Sequence, residues 1–415
     1  MDDLDKNPYL LDIHSQPQAL RLALAKTDLA PLEALTQALN AGRFDRILLT
    51  GMGASYYGLY PAWLHLAAAG LPAVWVDSAE LVHHAPAFVT RRTLLWIASQ
   101  SGHSAEIVTL LRQSAAHPPA GLLAMTNDLS SPLAQATGEQ GSAGLRALLP
   151  LYAEPESTPS TRTYLHTLAI SQLAALYLAQ AELAPHLAAL QAAADGIAAY
   201  LQDWRDQMQH LREAIESVQP ELRSIVLVGR GLSLASAFSG ALNLQEAAKL
   251  PALGLQAAEF RHGPLEMAGP GLTALIFAGE NALINQLSVN GVPSLAGMSP
   301  WGLNHKLWHE LRALGVNAWL MEPPSPPAPL PSRERGESAA PSPRKGEGWG
   351  DTVAPSPQWG EDRGEGGILP LPSVSGIGLP LAEIIPIQLL CVYLSQRAGV
   401  IPGTFRNIGK VTTEE

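Results

Sequence analysis

The sequence predicts an α/β protein built from two copies of a three-layer unit, each a parallel β-sheet with helices on both faces. Three observations lead there. Short apolar runs of strand length alternate with longer stretches at helical spacing, the pattern of a parallel sheet covered on both sides. Alanine and leucine dominate and aromatic residues make up only 6%, which favours helices packed on sheets over an all-β fold. The pattern Val/Leu-x-Gly-x-Gly occurs twice, once through Thr50-Gly51-Met52-Gly53 and once through Val228-Gly229-Arg230-Gly231, so the halves read as a duplication. A chain of 415 residues suits two domains, and 47% hydrophobic residues give each a core.

In the first half, residues 9–40 carry apolar positions at helical spacing through Leu20, Leu22, Leu29 and Leu32 and read as helical. Arg46-Ile-Leu-Leu-Thr-Gly is a short apolar run ended by glycine, a buried parallel strand. A helix follows over about 55–69. Ala73–Asp77, Thr93–Ala98 and Gly121–Thr126 are the next strands, and Leu148–Tyr152 reads as a fifth. A helix over 104–115 separates the third and fourth. Two long helices, about 161–184 and 187–217, close the half. The second half repeats the scheme. Ser224–Gly229 is a strand, a helix runs through Lys249, and Leu272–Ala278 and Val316–Met321 are further strands.

Residues 322–367 fit neither half. They are dense in Pro, Gly, Ser and charge, and Pro-Ser-x-x-x-Gly-Glu recurs at Pro331–Glu337, Pro341–Glu347 and Pro355–Glu361. Such a composition buries too little apolar surface to offset ordering entropy, so a disordered surface loop is expected.

Charge and cysteine content narrow the function. The formal net charge is −11, which argues against nucleic acid, whose phosphates call for a basic face. A local pocket can still bind a small phosphate. Cys391 is the single cysteine and sits in an apolar helical stretch, so no disulfide or cysteine-based metal site forms within one chain and a buried thiol is expected. The acidic N-terminus does not resemble a signal peptide, and the apolar stretch 379–398 is interrupted by Glu383 and Pro386. The expectation is a cytoplasmic protein with no membrane contact.

Ser99-Gln100-Ser101-Gly102-His103-Ser104 lies between a strand and a helix, where hydroxyls, backbone N–H groups and the helix dipole converge on an anion. Ser55 occupies the analogous turn after the first strand. Either turn alone would read as helix capping. Both together, at the ends of neighbouring strands, point to a ligand crevice.

Gly51-Met-Gly-Ala-Ser55 and Ser99–Ser104 resemble the two phosphate-site signatures of the sugar isomerase (SIS) domain family. Ser160-Thr-Arg resembles that family's Ser-Thr-Lys segment. Gly240–Glu246 and Ala258–Pro264 resemble the catalytic stretches in the isomerase part of glucosamine-6-phosphate synthases, and Phe405–Thr412 resembles their C-terminal loop. Ile13-His-Ser-Gln-Pro resembles the segment before that part. The likeness spans the chain except 322–367 and an enlarged loop around 287–305.

The resemblance implies two flavodoxin-like domains, at 25–190 and 200–415, after an N-terminal helical extension at 1–24. It implies phosphate binding by Ser55, Ser99, Gln100, Ser101 and Ser104, with Ser160 walling the sugar site. It implies that Glu246 moves a proton between C1 and C2, that His262 opens the ring from the neighbouring subunit of a homodimer, and that Lys410 forms a Schiff base with the open keto sugar. Glu259 matches a structural carboxylate. No metal or organic cofactor is expected. Asn243 stands where the related enzymes have a lysine, and Arg162 replaces the lysine of Ser-Thr-Lys. About 45 residues precede the first strand, with no N-terminal cysteine, so no glutamine-hydrolysing domain is expected. The expected activity is aldose–ketose isomerisation of a hexose or hexosamine 6-phosphate, coupled to amine release or transfer without glutamine. The alternatives are a fructosamine-phosphate deglycase and a non-catalytic sugar-phosphate sensor.

Overall fold

The computed structural model describes residues 4–138, 144–156, 158–216, 222–279, 299–324, 367–407 and 409–413. Two five-stranded parallel sheets organise them. The first contains β1 (Arg46–Gly51), β2 (Ala73–Trp75), β3 (Thr93–Ala98), β4 (Gly121–Thr126) and β5 (Leu145–Pro150), in the order β2-β1-β3-β4-β5. The second contains β6 (Ser224–Gly229), β7 (Ala252–Gln256), β8 (Leu272–Phe277), β9 (Asn317–Glu322) and β10 (Ile368–Pro370), in the order β7-β6-β8-β9-β10. Numbered within each half, both read 2-1-3-4-5, the flavodoxin-like order. The expected duplication is therefore present at the level of topology.

Strand composition follows from burial on both faces. In β1, Ile47 and Leu49 enter one core cluster and Leu48 the opposite one. In β6, Val226 and Val228 face one cluster, and Ile225 and Leu227 the other. Side chains alternate across a strand, so apolar residues at every position serve two cores.

Eight helices flank the first sheet and the junction with the second: α1 (Pro8–Lys26), α2 (Glu33–Asn40), α3 (Gly53–Gly58), α4 (Tyr60–Ala68), α5 (Ser78–His83), α6 (Ala105–Ala116), α7 (Pro132–Gly138) and α8 (Arg162–Leu178). Then come α9 (Ala184–Gln202), α10 (Trp204–Glu216), α11 (Ser233–Ala248) and the short α12 (Ala257–Phe260). A helix at Pro300–Ala313 and a C-terminal helix at Leu379–Arg397 complete the second unit. By length and composition, Gly376–Arg397 could cross a membrane, but its 18-residue apolar stretch is buried within the fold. Cys391 lies in it, fully buried, and burial pushes its thiol well up. α1 is no loose extension: Tyr9, Leu10, Ile13 and Leu20 join the core cluster that holds α11 and the C-terminal helix.

Several boundaries depart from expectation. The helical stretch 9–40 breaks after Lys26 and resumes through a 3-10 turn at Ala30–Leu32. β2 stops at Trp75, because Asp77 caps α5 by accepting from Ala79 and Glu80 N–H groups. β5 begins three residues earlier than the apolar run Leu148–Tyr152 suggested. The two long helices expected over 161–217 are three, α8, α9 and α10. β7 and β10 were not expected. Within the expected loop 287–305, Ser299 caps the helix Pro300–Ala313, and 280–298 lie outside the described residues. Of the expected disordered stretch 322–367, Glu322 ends β9, and 325–366 lie outside the described residues.

Candidate active site

The crevice forms where it should in this topology, at the C-terminal ends of the neighbouring strands β1 and β3, the point where strand order reverses. β1 ends at Gly51 and turns into α3, whose first turn carries Ser55. β3 ends at Ala98 and runs through Ser99–His103 to Ser104, the N-cap of α6. The loop is locked from within. Ser99 Oγ accepts from the Gly102 N–H at 3.1 Å, and Ser101 Oγ accepts from the His103 N–H at 3.2 Å. Gly102 has φ +66°, and a Cβ there would lie 2.2 Å from Ser131 Oγ, so only glycine fits. The N-terminus of α6 adds its dipole to this cradle.

A cavity of about 270 Å³ opens beside these turns. Ser55, Ser99, Gln100, Ser101, Ser104 and Ser160 line it, and so do Glu246 and Lys410. Eight of the nine expected site residues, drawn from both halves of the chain, thus converge on one pocket. Glu106, Leu242, Phe405 and Thr412 line it as well. His262 does not. It is exposed in the turn after α12, its N–H bonded to the Glu259 carbonyl at 2.8 Å.

The C-terminal tail is strapped over the pocket. The Ala105 N–H donates to the Thr412 carbonyl at 3.1 Å, joining the tail to the start of α6. Lys249 Nζ donates to the Thr404 carbonyl at 2.6 Å and also to the Glu246 carbonyl, joining the tail to the end of α11. Asn7 Nδ2 donates to the Pro402 carbonyl at 3.2 Å. Gly403, at φ +78°, passes so close to Tyr9 that a Cβ would fall 2.5 Å from the Tyr9 Cβ.

Lys410 is held by three oxygens. Its Nζ donates to the Thr158 carbonyl at 2.6 Å and lies 3.4 Å from both Glu156 Oε2 and Ser160 Oγ. Glu156 has a fully buried side chain. Burial raises its carboxyl, but the Lys410 ammonium and the Thr163 and Thr161 donors outweigh that and hold it below the usual range. Glu246 behaves oppositely. Burial pushes it up, against the pull of Lys410 and Lys249. A carboxyl raised in this way holds its proton more readily than an exposed one, as a group that takes and returns a proton must.

Two residues that mark departures from the related enzymes do not face the cavity. Asn243 is buried behind it, accepting from the Tyr9 hydroxyl at 2.8 Å and donating to the Ser239 carbonyl at 2.9 Å. Arg162 is buried and pairs with Asp12 at 2.7 Å. Asp12 also accepts from Thr158 Oγ1 at 2.7 Å. Sequence reasoning missed Glu156 and Asp12, because nothing local distinguishes either from an ordinary acidic residue.

No family model matches the chain. The glutamine–fructose-6-phosphate aminotransferase (isomerizing) of Methanothermobacter thermautotrophicus is 28% identical over 413 residues, covering 98% of this chain and 57% of the relative. The chain therefore spans somewhat more than half the length of that relative. Among solved structures, the C-terminal domain of glucosamine-fructose-6-phosphate aminotransferase from Francisella tularensis aligns with a TM-score of 0.68 at 19% identity, covering 96% of this chain and 98% of that one. Tagatose-6-phosphate ketose/aldose isomerase from Escherichia coli aligns with a TM-score of 0.65 at 20% identity, covering 96% of each chain. The fold is the tandem SIS-type α/β/α architecture.

Proposed function

We propose, from the likeness of this chain to the isomerase part of glutamine–fructose-6-phosphate aminotransferases, that it is an enzyme acting on a hexose or hexosamine 6-phosphate. The reaction is aldose–ketose isomerisation, coupled to release or transfer of an amine. One observation carries the reading: Glu246 and Lys410 line the same cavity as the serine-rich loop 99–104. The loop and the α6 N-terminus bind the phosphate, which sets the distance to the reacting carbons. Lys410 supplies an amine for the open-chain carbonyl. Glu246 moves the proton between C1 and C2. His262 acts in the pocket of a second copy in a homodimer.

The test is to incubate the purified protein with glucosamine 6-phosphate, fructose 6-phosphate and fructosamine phosphates, following ammonia and sugar products. Turnover of the first two is expected. Turnover of fructosamine phosphates alone would redirect the reading to a deglycase. Tight binding of all three with no turnover would overturn it in favour of a sensor.

A further inference from the structure

We infer that Glu156 is the fixed counter-ion of Lys410, placed to stabilise the positive charge that the lysine nitrogen keeps when it is joined to a carbonyl substrate. The inference rests on the reading of Lys410 as the amine nucleophile.

Glu156 does not need the lysine for its own satisfaction. Oε1 accepts from the Thr161 N–H at 3.2 Å, Thr161 Oγ1 at 2.7 Å and the Thr163 N–H at 3.2 Å. Oε2 accepts from Thr163 Oγ1 at 2.6 Å. These donors belong to the first turn of α8 and its N-cap, where a helix stabilises an anion. The carboxylate is therefore oriented and charged before any ligand arrives. Its remaining approach, on Oε2, points at Lys410 Nζ 3.4 Å away. Preorganised charge of this kind stabilises a developing cation without reorganisation.

The neighbouring charges leave that role to Glu156. Asp12, from α1, is engaged by Arg162 at 2.7 Å and by Thr158. Arg162 also approaches Glu154 at 3.6 Å and Glu156 at 3.8 Å. Glu246 from α11 and Glu106 from α6 line the cavity itself. Glu246 is raised by burial and serves as the proton carrier, not as a permanent anion.

The chemistry balances. The lysine nitrogen bonds the carbonyl carbon, and the carbonyl oxygen departs as water with two of the three ammonium protons. The nitrogen keeps one proton and the positive charge. That iminium sits where the ammonium was, facing the same carboxylate.

The experiment uses the full chain with two carbonyl probes. Fructose 6-phosphate with borohydride traps a sugar on Lys410, read by peptide mass. Pyridoxal 5′-phosphate gives a coloured imine whose loss of the iminium proton is followed spectroscopically against pH. Glu156→Gln keeps an acceptor for the threonines but removes the charge. It is expected to cut trapped sugar about tenfold at neutral pH and to lower the imine titration by about one unit or more. Glu156→Asp, which keeps the charge, is expected to restore most of the titration. An unchanged titration in Glu156→Gln would overturn the inference, whatever the sugar does. Imine formation with pyridoxal phosphate but no sugar adduct in the wild type would overturn the functional reading, and the titration would still decide the role of Glu156. Failure of Lys410 to react with either probe would overturn both.

Discussion

The Tyr9 hydroxyl donates to Asn243 Oδ1 at 2.8 Å, and both residues are buried. This single bond links α1 to α11 less than one helical turn from Glu246. It also accounts for the side chain at 243. The asparagine is occupied by Tyr9 and the Ser239 carbonyl and contributes no group to the cavity. α1 touches the site at two further points, through Asn7 on the tail and Asp12 on the Thr158 segment. Tyr9→Phe strands the Asn243 oxygen without that donor, at an expected cost of about 1–3 kcal/mol. Thermal unfolding of the variant measures this, and an unshifted midpoint would show that the bond stabilises nothing.

The loop Ser99–Ser104, proposed to bind the phosphate, depends on one glycine. Gly102→Ala must accept φ +66° and a methyl group 2.2 Å from Ser131 Oγ. The left-handed backbone alone costs about 1–2 kcal/mol, and the overlap adds to it. The expected result is a sugar-phosphate affinity at least about tenfold weaker, equivalent to about 1.4 kcal/mol. Calorimetric titration with fructose 6-phosphate checks it. Wild-type affinity would mean that the loop does not hold the phosphate.

Glu246 makes a pH-dependent prediction with a definite sign. Burial, opposed by Lys410 and Lys249, raises its folded-state titration above the ordinary carboxyl range. The neutral acid therefore favours the fold. That contribution is fully present below the ordinary carboxyl range and is lost as pH rises through the raised value. Glu246→Gln cannot ionise. It should match the wild type in stability at about pH 4 and exceed it at about pH 8. Paired urea unfolding curves at the two pH values provide the comparison, and a gap that widens towards acid would reverse the argument. Turnover should be lost in the variant at every pH.

Lys410→Ala separates binding from chemistry. Glu156 keeps its four threonine donors, so the α8 N-terminus stays capped. The residues proposed to hold the phosphate lie on other elements, so sugar-phosphate affinity should change by less than about threefold, or roughly 0.7 kcal/mol. Turnover and borohydride trapping should both vanish. Residual trapping on the variant would place the covalent chemistry on another amine.

What the sequence disclosed tracks how local each signal is. β1, β3, β4, β6 and β8 are continuous apolar runs because both their faces are buried, and they stand out for that reason. β7 and β10 lie at sheet edges, where Ala-Leu-Gly-Leu-Gln and Ile-Leu-Pro carry little apolar signal. Arg146 interrupts the apolar run at the start of β5, which moved its expected start late. The two turns that carry Ser55 and Ser99–Ser104 were legible as turns because each lies within a few residues of a strand end. The lysine clamp was not. Thr158 meets Asp12 across 146 residues and Lys410 meets Glu156 across 254, separations that carry no pattern in a single sequence.

The exposed position of His262 yields a test that distinguishes its two possible pockets. Within one chain it lies outside the cavity that holds Lys410. If it completes the pocket of a second copy, the Lys410→Ala and His262→Ala lesions fall together in one site of a mixed dimer. In such a dimer the protomer that retains Lys410 receives an intact His262 from its companion, while the other site lacks both groups. Each variant alone is expected to be inactive. Random pairing after co-expression makes half the dimers mixed, each with one live site, so activity should recover to roughly a quarter of wild type. A His262 that served its own chain would leave every site in the mixture damaged, and co-expression would restore nothing. Steady-state turnover of the co-expressed pair, beside each variant alone, decides between the two arrangements.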